Sequence, residues 1–297
     1  MNEKFPPKLD TPELASAYLR FFVGAIQGDE GRFMLLDRLD DIRWRSRVPP
    51  KQRSDVAKKI GPLVVEMTPG GGWQAIGTIQ YSNALFATRL ALRRDGSVEM
   101  NEDEPLATNL AVLVECFVNG IRIMQTLEEA RLANTREKLK LNPNDSQALG
   151  RLPRLCYDLK RWKEAVEAQQ QWVEFVHQQS EKDPKMSERL PGIYTSLGWY
   201  QLFARDFAGA LASSEAGRRL DESYLPLDTN RAHALLFLGR TQEAEAIYLQ
   251  HRGQKMGANS DKKWEESILE DFKALEKEHI THPEMTRIQK LLKVESK

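Results

Sequence analysis

Asp40, Asp41 and Tyr81 could do acid–base chemistry if the fold brings them together. Adjacent carboxylates in a sheet-lined pocket repel one another and lose solvation, which raises a carboxyl pKa toward the range a general base needs. At the solvated end of a helix the same pair does nothing. Gly70-Gly71-Gly72 has the backbone freedom of a phosphate-cradling loop, but no Lys-Ser or Lys-Thr follows and the next residues alternate like a strand, so it reads as a flexible turn. Arg43, Arg45 and Arg47 surround Trp44, and Lys51, Arg53, Lys58 and Lys59 extend the run; arginine beside an aromatic ring can clamp phosphate or stack on a base. Asp37, Asp40 and Asp41 lie directly upstream, so the run reads as solvated surface rather than a nucleic-acid contact. His279 and His282 have a His-x-x-His spacing without a cysteine cluster or carboxylate motif and with Pro283 next, which favours surface histidines over a metal site. No nucleophile elbow, P-loop or dinucleotide fingerprint is present, so no cofactor is expected and a non-enzyme is favoured.

The chain has 297 residues, 41% hydrophobic and 29% charged, which suits a folded protein of two ordinary domains. Lys plus Arg and Asp plus Glu both total 43, and the first 108 residues carry 15 of each. Neither part is globally basic, so the electrostatic footprint of a nucleic-acid binder is missing. The two cysteines, Cys116 and Cys156, fall in apolar patterns of helical spacing and read as buried reduced thiols in a reducing compartment. The N-terminus lacks signal architecture and no apolar run approaches the roughly 20 residues of a membrane span, so the expectation is a cytoplasmic protein with no membrane partner.

The elements that must position these residues differ between the two halves. Thr11 can cap a helix with Pro12 at its first position, after which Leu14, Tyr18, Phe21, Phe22, Ala25 and Ile26 share a face. A second helix is expected from about Glu30 to Ile42, carrying Phe33, Leu36 and Leu39. From Val64 the period becomes strand-like: Trp73, Ala75, Gly77, Ile79 and Tyr81 alternate, Ser82-Asn83 turns, Phe86, Thr88, Leu90 and Leu92 alternate, and Asp95-Gly96 turns into a return strand at Val98 and Met100. Residues 1–108 therefore form an α+β module, a helical hairpin on an antiparallel sheet. The matching residues Ala25, Gly28, Asp29, Phe33, Leu36, Asp40, Asp41 and Trp44, then Phe86, Asp95 and Gly96, resemble the cystatin-like cone of the nuclear transport factor 2 superfamily over roughly residues 20 to 100. That resemblance implies a fold that holds a small ligand in some members and is an inert or dimerising module in others.

Pro105 is expected to end the sheet, and Thr108 or Asn109 to cap a bridging helix over 109–145 on which Leu110, Leu113, Val114, Phe117, Ile121, Met124 and Leu127 keep helical spacing. Pro143 stops it, and Asn144 can cap the next helix. Beyond this point Tyr194, Leu197, Gly198, Phe207 and Ala210 recur 34 residues on, loosely, as Asp228, Arg231, Ala232, Thr241 and Ala244, and the frame reaches back to Leu152, Trp162 and Ala165. A fixed period of about 34 residues signals stacked helical hairpins. On these residues the C-terminal half resembles the tetratricopeptide repeat family, with three hairpins over 146–258 and a helical cap over 259–297 in which Ser260 caps a helix carrying Trp264, Ile268, Leu269, Phe272 and Leu275. Pro153 replaces a small residue in the first unit, which predicts a short or kinked helix there. The fold class is thus mainly α with an α+β N-terminal domain: an antiparallel sheet module followed by a short tetratricopeptide-like α-solenoid.

The resemblance implies a concave groove lined by first-helix positions: Gln147, Gly150, Arg154, Tyr157 and Asp158; Gly192, Thr195, Trp199, Leu202 and Phe203; Pro226, Thr229, His233, Leu236 and Phe237. The positions that grip a terminal carboxylate in the chaperone-binding subclass hold Gly150, Arg154, Ser196, Pro226 and Asn230, so that clamp is absent. The expected function is a non-enzymatic protein-association scaffold, with a protein or peptide partner, or a second copy, seated as an apolar helix or extended segment in the groove. Equally expected is a groove filled by the helix near 110 to 140 or by a second copy. The alternative function is a small-molecule-binding or enzymatic first domain with the repeats as an accessory.

Overall fold

In the computed structural model, which describes residues 7–28, 30–257 and 260–293, the chain divides into two compact units, Met1–Leu141 and Asn142–Lys297. The first opens with α1 (Pro12–Ala25), where Pro12 takes the first turn and Thr11 Oγ1 accepts the Leu14 N–H at 3.3 Å. Short strands β1 (Gln27–Gly28), β2 (Gly31–Arg32) and β3 (Met34–Leu36) follow, then a 3-10 turn Leu39–Asp41 and helix α2 (Pro50–Ala57). Strands β4 (Val64–Met67), β5 (Trp73–Tyr81), β6 (Ala84–Leu92) and β7 (Val98–Ala107) complete an antiparallel sheet of order β3-β5-β6-β7, with β4 also on β5. The alternation read from the sequence makes one face of it: Trp73, Ala75, Ile79, Leu90 and Leu92 bury against Ala15, Leu19 and Val23 of α1.

Three expectations need correction here. Residues 30–42 are not a helix: Gly31, at φ +116, pairs β2 with β1, and Met34–Leu36 pair antiparallel with Thr78–Gln80. Asp29 lies outside the described residues. Pro105 does not end the sheet but pairs with Phe86 inside β7, an edge strand where a missing N–H costs no ladder bond. The expected bridging helix is a hairpin, β8 (Val114–Val118) and β9 (Ile121–Gln125), and only then a helix, α3 (Leu127–Leu141), packed on β8 through Val114, Cys116, Leu127 and Ala130. Asn119 and Gly120, at φ 51° and 76°, supply the two adjacent left-handed residues of a tight hairpin turn, and Asn109, at φ 55°, is no helix cap.

Gly31 cannot be replaced cheaply. A Cβ there would stand 2.9 Å from the Glu115 carbonyl oxygen, and its φ is one that L residues rarely adopt. Gly31→Ala is expected to destabilise the first unit by roughly 2 kcal/mol; a urea midpoint within error of wild type would show that β2 and β8 can part without cost.

The second unit is built of helical hairpins: α4 (Ser146–Asp158) with α5 (Trp162–Ser180), α6 (Leu190–Phe203) with α7 (Phe207–Leu220), and α8 (Pro226–Phe237) with α9 (Thr241–Gln250). A 3-10 turn, Pro184–Arg189, fills the insertion before α6. Asp145, not Asn144, caps α4, its carboxylate accepting the Gln147 and Ala148 N–H groups at 3.0 Å. Pro153 sits inside α4 without shortening it. The last pair is α10 (Trp264–Lys277) and α11 (Met285–Lys293). Lys263, rather than Ser260, is the cap residue of α10, and its N–H is taken by Glu266.

One turn recurs through all four pairs. Lys160, Arg205, Gly239 and His279 each take a left-handed φ, of 58°, 60°, 78° and 57°. Each donates its N–H to the carbonyl three residues back, and the residue after it donates five back, to Cys156, Gln201, Leu235 and Leu275. This is the Schellman ending, which satisfies carbonyls a helix terminus leaves open. By this shared turn α10 and α11 are a fourth, degenerate hairpin. The fold class is an antiparallel sheet module followed by a short tetratricopeptide-like α-solenoid.

Candidate functional site

The first helices of the three hairpins are α4, α6 and α8, and α10 meets them at α8 and at two of the turns. From α10, Asp271 Oδ2 lies 3.3 Å from His233 Nε2 and the Phe272 ring 5.2 Å from the His233 ring, both on α8. At its far end, Glu278 meets Lys160 in the α4–α5 turn, and the His279 carbonyl accepts from Arg205 in the α6–α7 turn at 2.8 Å. α10 thus reaches all three preceding hairpins.

Burial corrects the expected groove. Leu202, Phe203, Thr229, Asn230, His233 and Leu236 are all buried and offer no surface to a partner. Leu202, Phe203 and Leu236 share one core with Trp264, Ile268, Phe272 and Leu275 of α10. Asn230 spends its amide on the Thr195 carbonyl at 2.7 Å, Thr229 its hydroxyl on Pro226, and His233 Nδ1 pairs with the Tyr248 hydroxyl at 2.9 Å. Phe237, half-buried, stacks on Phe207 with centroids 4.7 Å apart. These residue types suit a groove and a core equally, so spacing alone did not separate the two.

The α4 and α6 part stays open. Arg154 and Asp158 are exposed and paired at 2.8 Å, with the guanidinium over the Tyr157 ring. Tyr157 and Trp199 are partly exposed and joined by the indole N–H donating to the tyrosine hydroxyl at 3.0 Å; Thr195 lies half-buried beside them. Beneath, Tyr157 packs within 5.2 Å of Trp162, Tyr200 and Phe203. Burial raises the Tyr157 hydroxyl above its ordinary pKa and pushes that of Tyr200 up to about 12.

A buried charge cluster went unread in the sequence. Asp228, at the start of α8, lies 3.1 Å from Arg218, 3.2 Å from His251 and 3.7 Å from Arg231. The Arg218 approach is close but off-line, so Asp228 Oδ1 and Arg218 Nε form an ion pair without a well-directed hydrogen bond. Asp228 stood only as a loose echo of Tyr194; Arg231 lies one turn on along α8, but Arg218 and His251 come from the ends of α7 and α9, which no local pattern connects to it.

In the first unit the candidate acid–base residues are committed elsewhere. Asp41 accepts the N–H groups of Asp37 and Arg38 at 2.8 and 3.1 Å and pairs with the Arg38 side chain, capping its own turn. It does border an open hollow of about 220 Å³ with Arg20 and Arg32. Asp40 is exposed, and Tyr81 accepts the Glu30 N–H while stacking on Phe33. Gly70–Gly72 form the β4–β5 turn, closed by the Thr68 N–H on the Gly72 carbonyl. Arg45 bonds Glu128 and the Val112 carbonyl, Arg53 lies over Trp44, and Arg43, Arg47, Lys51 and Lys58 are exposed. Cys116, on a strand rather than a helix, and Cys156 are both buried and neither is in a disulfide, and burial raises the Cys116 pKa. His282 sits edge-on to Phe237 and accepts the Glu284 N–H, while His279 is a turn residue. Among the described residues no group of three or more His, Cys, Asp or Glu could hold a metal ion, and no helix is long and apolar enough to cross a membrane.

No family model and no curated protein matches the chain. Among the solved structures that match part of it are two at low identity. The crystal structure of MamA is 16% identical and aligns over 55% of this chain and 85% of its own, with a TM-score of 0.38. TTC0263, described as a thermophilic TPR protein in Thermus thermophilus, is 21% identical over 50% of this chain and 75% of its own, with a TM-score of 0.35. At such scores neither likeness carries weight beside the hairpins themselves.

Proposed function

We propose that the protein is a non-enzymatic association scaffold that holds a protein or peptide partner on the open part of its concave face, at Arg154, Tyr157, Asp158, Thr195 and Trp199. The observation that carries this reading is the half-exposed Tyr157–Trp199 pair, hydrogen-bonded to each other and flanked by the exposed Arg154–Asp158 pair. Aromatic and arginine anchors of this kind dominate binding energy when a partner excludes water from them. A pre-formed, half-buried site also loses little side-chain entropy on docking.

The test is co-precipitation from cells with tagged full-length chain, comparing wild type with Arg154→Glu and with Trp199→Ala. Truncating an aromatic anchor costs about 2 kcal/mol, so specific partners should be depleted roughly thirtyfold for Trp199→Ala. Circular dichroism melts of each variant separate lost binding from lost folding. Partner lists unchanged in both variants, with folding intact, reject the site.

A further inference from the structure

The sheet of the first unit ends on β7, and no strand among the described residues pairs with its outer side. Residues 99–105 are all exposed. The outward N–H and C=O groups of such an edge are a template for another strand. Pro105 brings no donor, so residues 98–104 are the stretch that can pair.

The two faces of this edge differ in chemistry. Val98 and Met100 lie opposite Leu92 and Leu90, on the face that α1 covers, whereas Glu99, Glu102 and Glu104 lie opposite Ala91, Arg89 and Ala87 on the other. On the α1 face a hollow of about 160 Å³ opens between Phe22, Ile26, Phe33, Leu90, Val98 and Met100. Space of that order takes a group the size of benzene. Ile26 and Met100, 42% and 45% exposed, stand at its rim. On the other face the carboxylates form a stripe. Glu99 pairs with Arg93 and Glu102 with Arg89, both exposed, while Asp103 and Glu104 have no ion pair among the described residues. The strand carries no Lys or Arg of its own.

This charge selects among occupants. Like charges opposite one another in a ladder repel, so a second copy of β7 would set carboxylates against carboxylates. We propose that β7 is a docking edge for an extended segment of a partner protein in which Lys or Arg alternates with aliphatic residues. The basic side chains run along Glu99, Glu102 and Glu104, and the aliphatic ones along Val98 and Met100, with one seated in the hollow. Main-chain hydrogen bonds supply affinity and the alternate side chains supply specificity. The edge belongs to the first unit and is independent of the association role proposed for the second.

The experiment uses the full-length chain and fluorescein-labelled synthetic octapeptides, read by anisotropy. A peptide alternating Lys and Val should bind, and amide exchange over residues 98–104 should slow when it does. Alternating Lys and Ser, which keeps charge and loses the apolar anchor, should bind about tenfold more weakly. Alternating Lys and Pro keeps the charge and removes donors from the ladder, and should also lose about tenfold. Glu102→Lys with Glu104→Lys should weaken the Lys-Val peptide roughly tenfold and gain binding of a Glu-Val peptide. Both positions are exposed, and circular dichroism checks the fold. Should that chain not fold, the peptide series on wild type still decides. No binding of Lys-Val, equal binding of Lys-Pro, or unchanged exchange over 98–104 overturns strand addition. Equal binding of Lys-Ser overturns the apolar anchor, and affinity unmoved by the charge reversal overturns the basic partner. A doubled mass by light scattering for wild type, reduced to a single mass by Glu102→Lys with Glu104→Lys, would assign the edge to a second copy and overturn the proposal.

Discussion

Trp264→Ala is expected to destabilise the second unit by about 4 kcal/mol. Trp264 is the largest of the fully buried side chains, its indole N–H donates to the Tyr248 carbonyl at 2.9 Å, and its ring meets His251 edge-on with centroids 4.9 Å apart. Truncation removes the transfer energy of the ring, leaves a cavity that helices on several sides cannot collapse into, and strips the bond from a carbonyl at the end of α9. Trp264→Phe keeps most of the volume and loses the hydrogen bond, so it should cost less than half as much. Urea titrations followed by far-ultraviolet circular dichroism measure both. A shift below about 1 kcal/mol for the alanine variant would mean that α10 is not part of the cooperative core.

Asp228→Ala should cost about 3 kcal/mol by a different route. The carboxylate is 5% exposed, and its removal leaves Arg218 and Arg231 without their counter-charge and His251 without its partner. Breaking a buried pair from one side costs more than the pair contributes, because the desolvated partner remains. Asp228→Asn, which keeps shape and loses charge, should fall between wild type and Ala. Added salt should restore little of the loss, since buried charges are weakly screened. Thermal melts at low and high salt settle the matter: a variant melting with wild type, or one rescued by salt, would place Asp228 in contact with bulk water.

What the sequence showed follows from how local the deciding interactions are. Thr11-Pro12 at α1, the alternation through β5 and β6, and the turns at Ser82 and Gly96 act within a few residues, and each lies where its residue types indicate. Residues 109–125 satisfy two periods at once. Leu110, Leu113, Val114, Ile121 and Met124 fit a helix, whereas Val114, Cys116 and Val118 fit a strand, and Asn119-Gly120 decides between them. The stretch after Gly31 was lost for the opposite reason: three residues of β3 are too few for any period to show. In the second unit the hairpin interior was legible, since Gly198, Ala210 and Ala232 allow close approach. Which side of α8 meets solvent depends on α10, some 30 to 40 residues away, and nothing in Leu236 or His233 records it. The Lys160 and Arg205 turns escaped notice because the hairpins recur at unequal intervals, so turn residues do not align in a fixed frame.

The contact between Lys160 and Glu278 also changes what kind of chain this is mechanically. In an open stack each hairpin touches only its neighbours, so stability is close to a sum of local terms and either end can fray alone. Here the last hairpin is fastened to the first and second as well as the third. The spiral is closed by its own end, like a spring whose free tip is hooked back to its base. Fraying at either terminus must break the same ties, so the four hairpins should melt as one and resist being stretched or wound as a longer array would not.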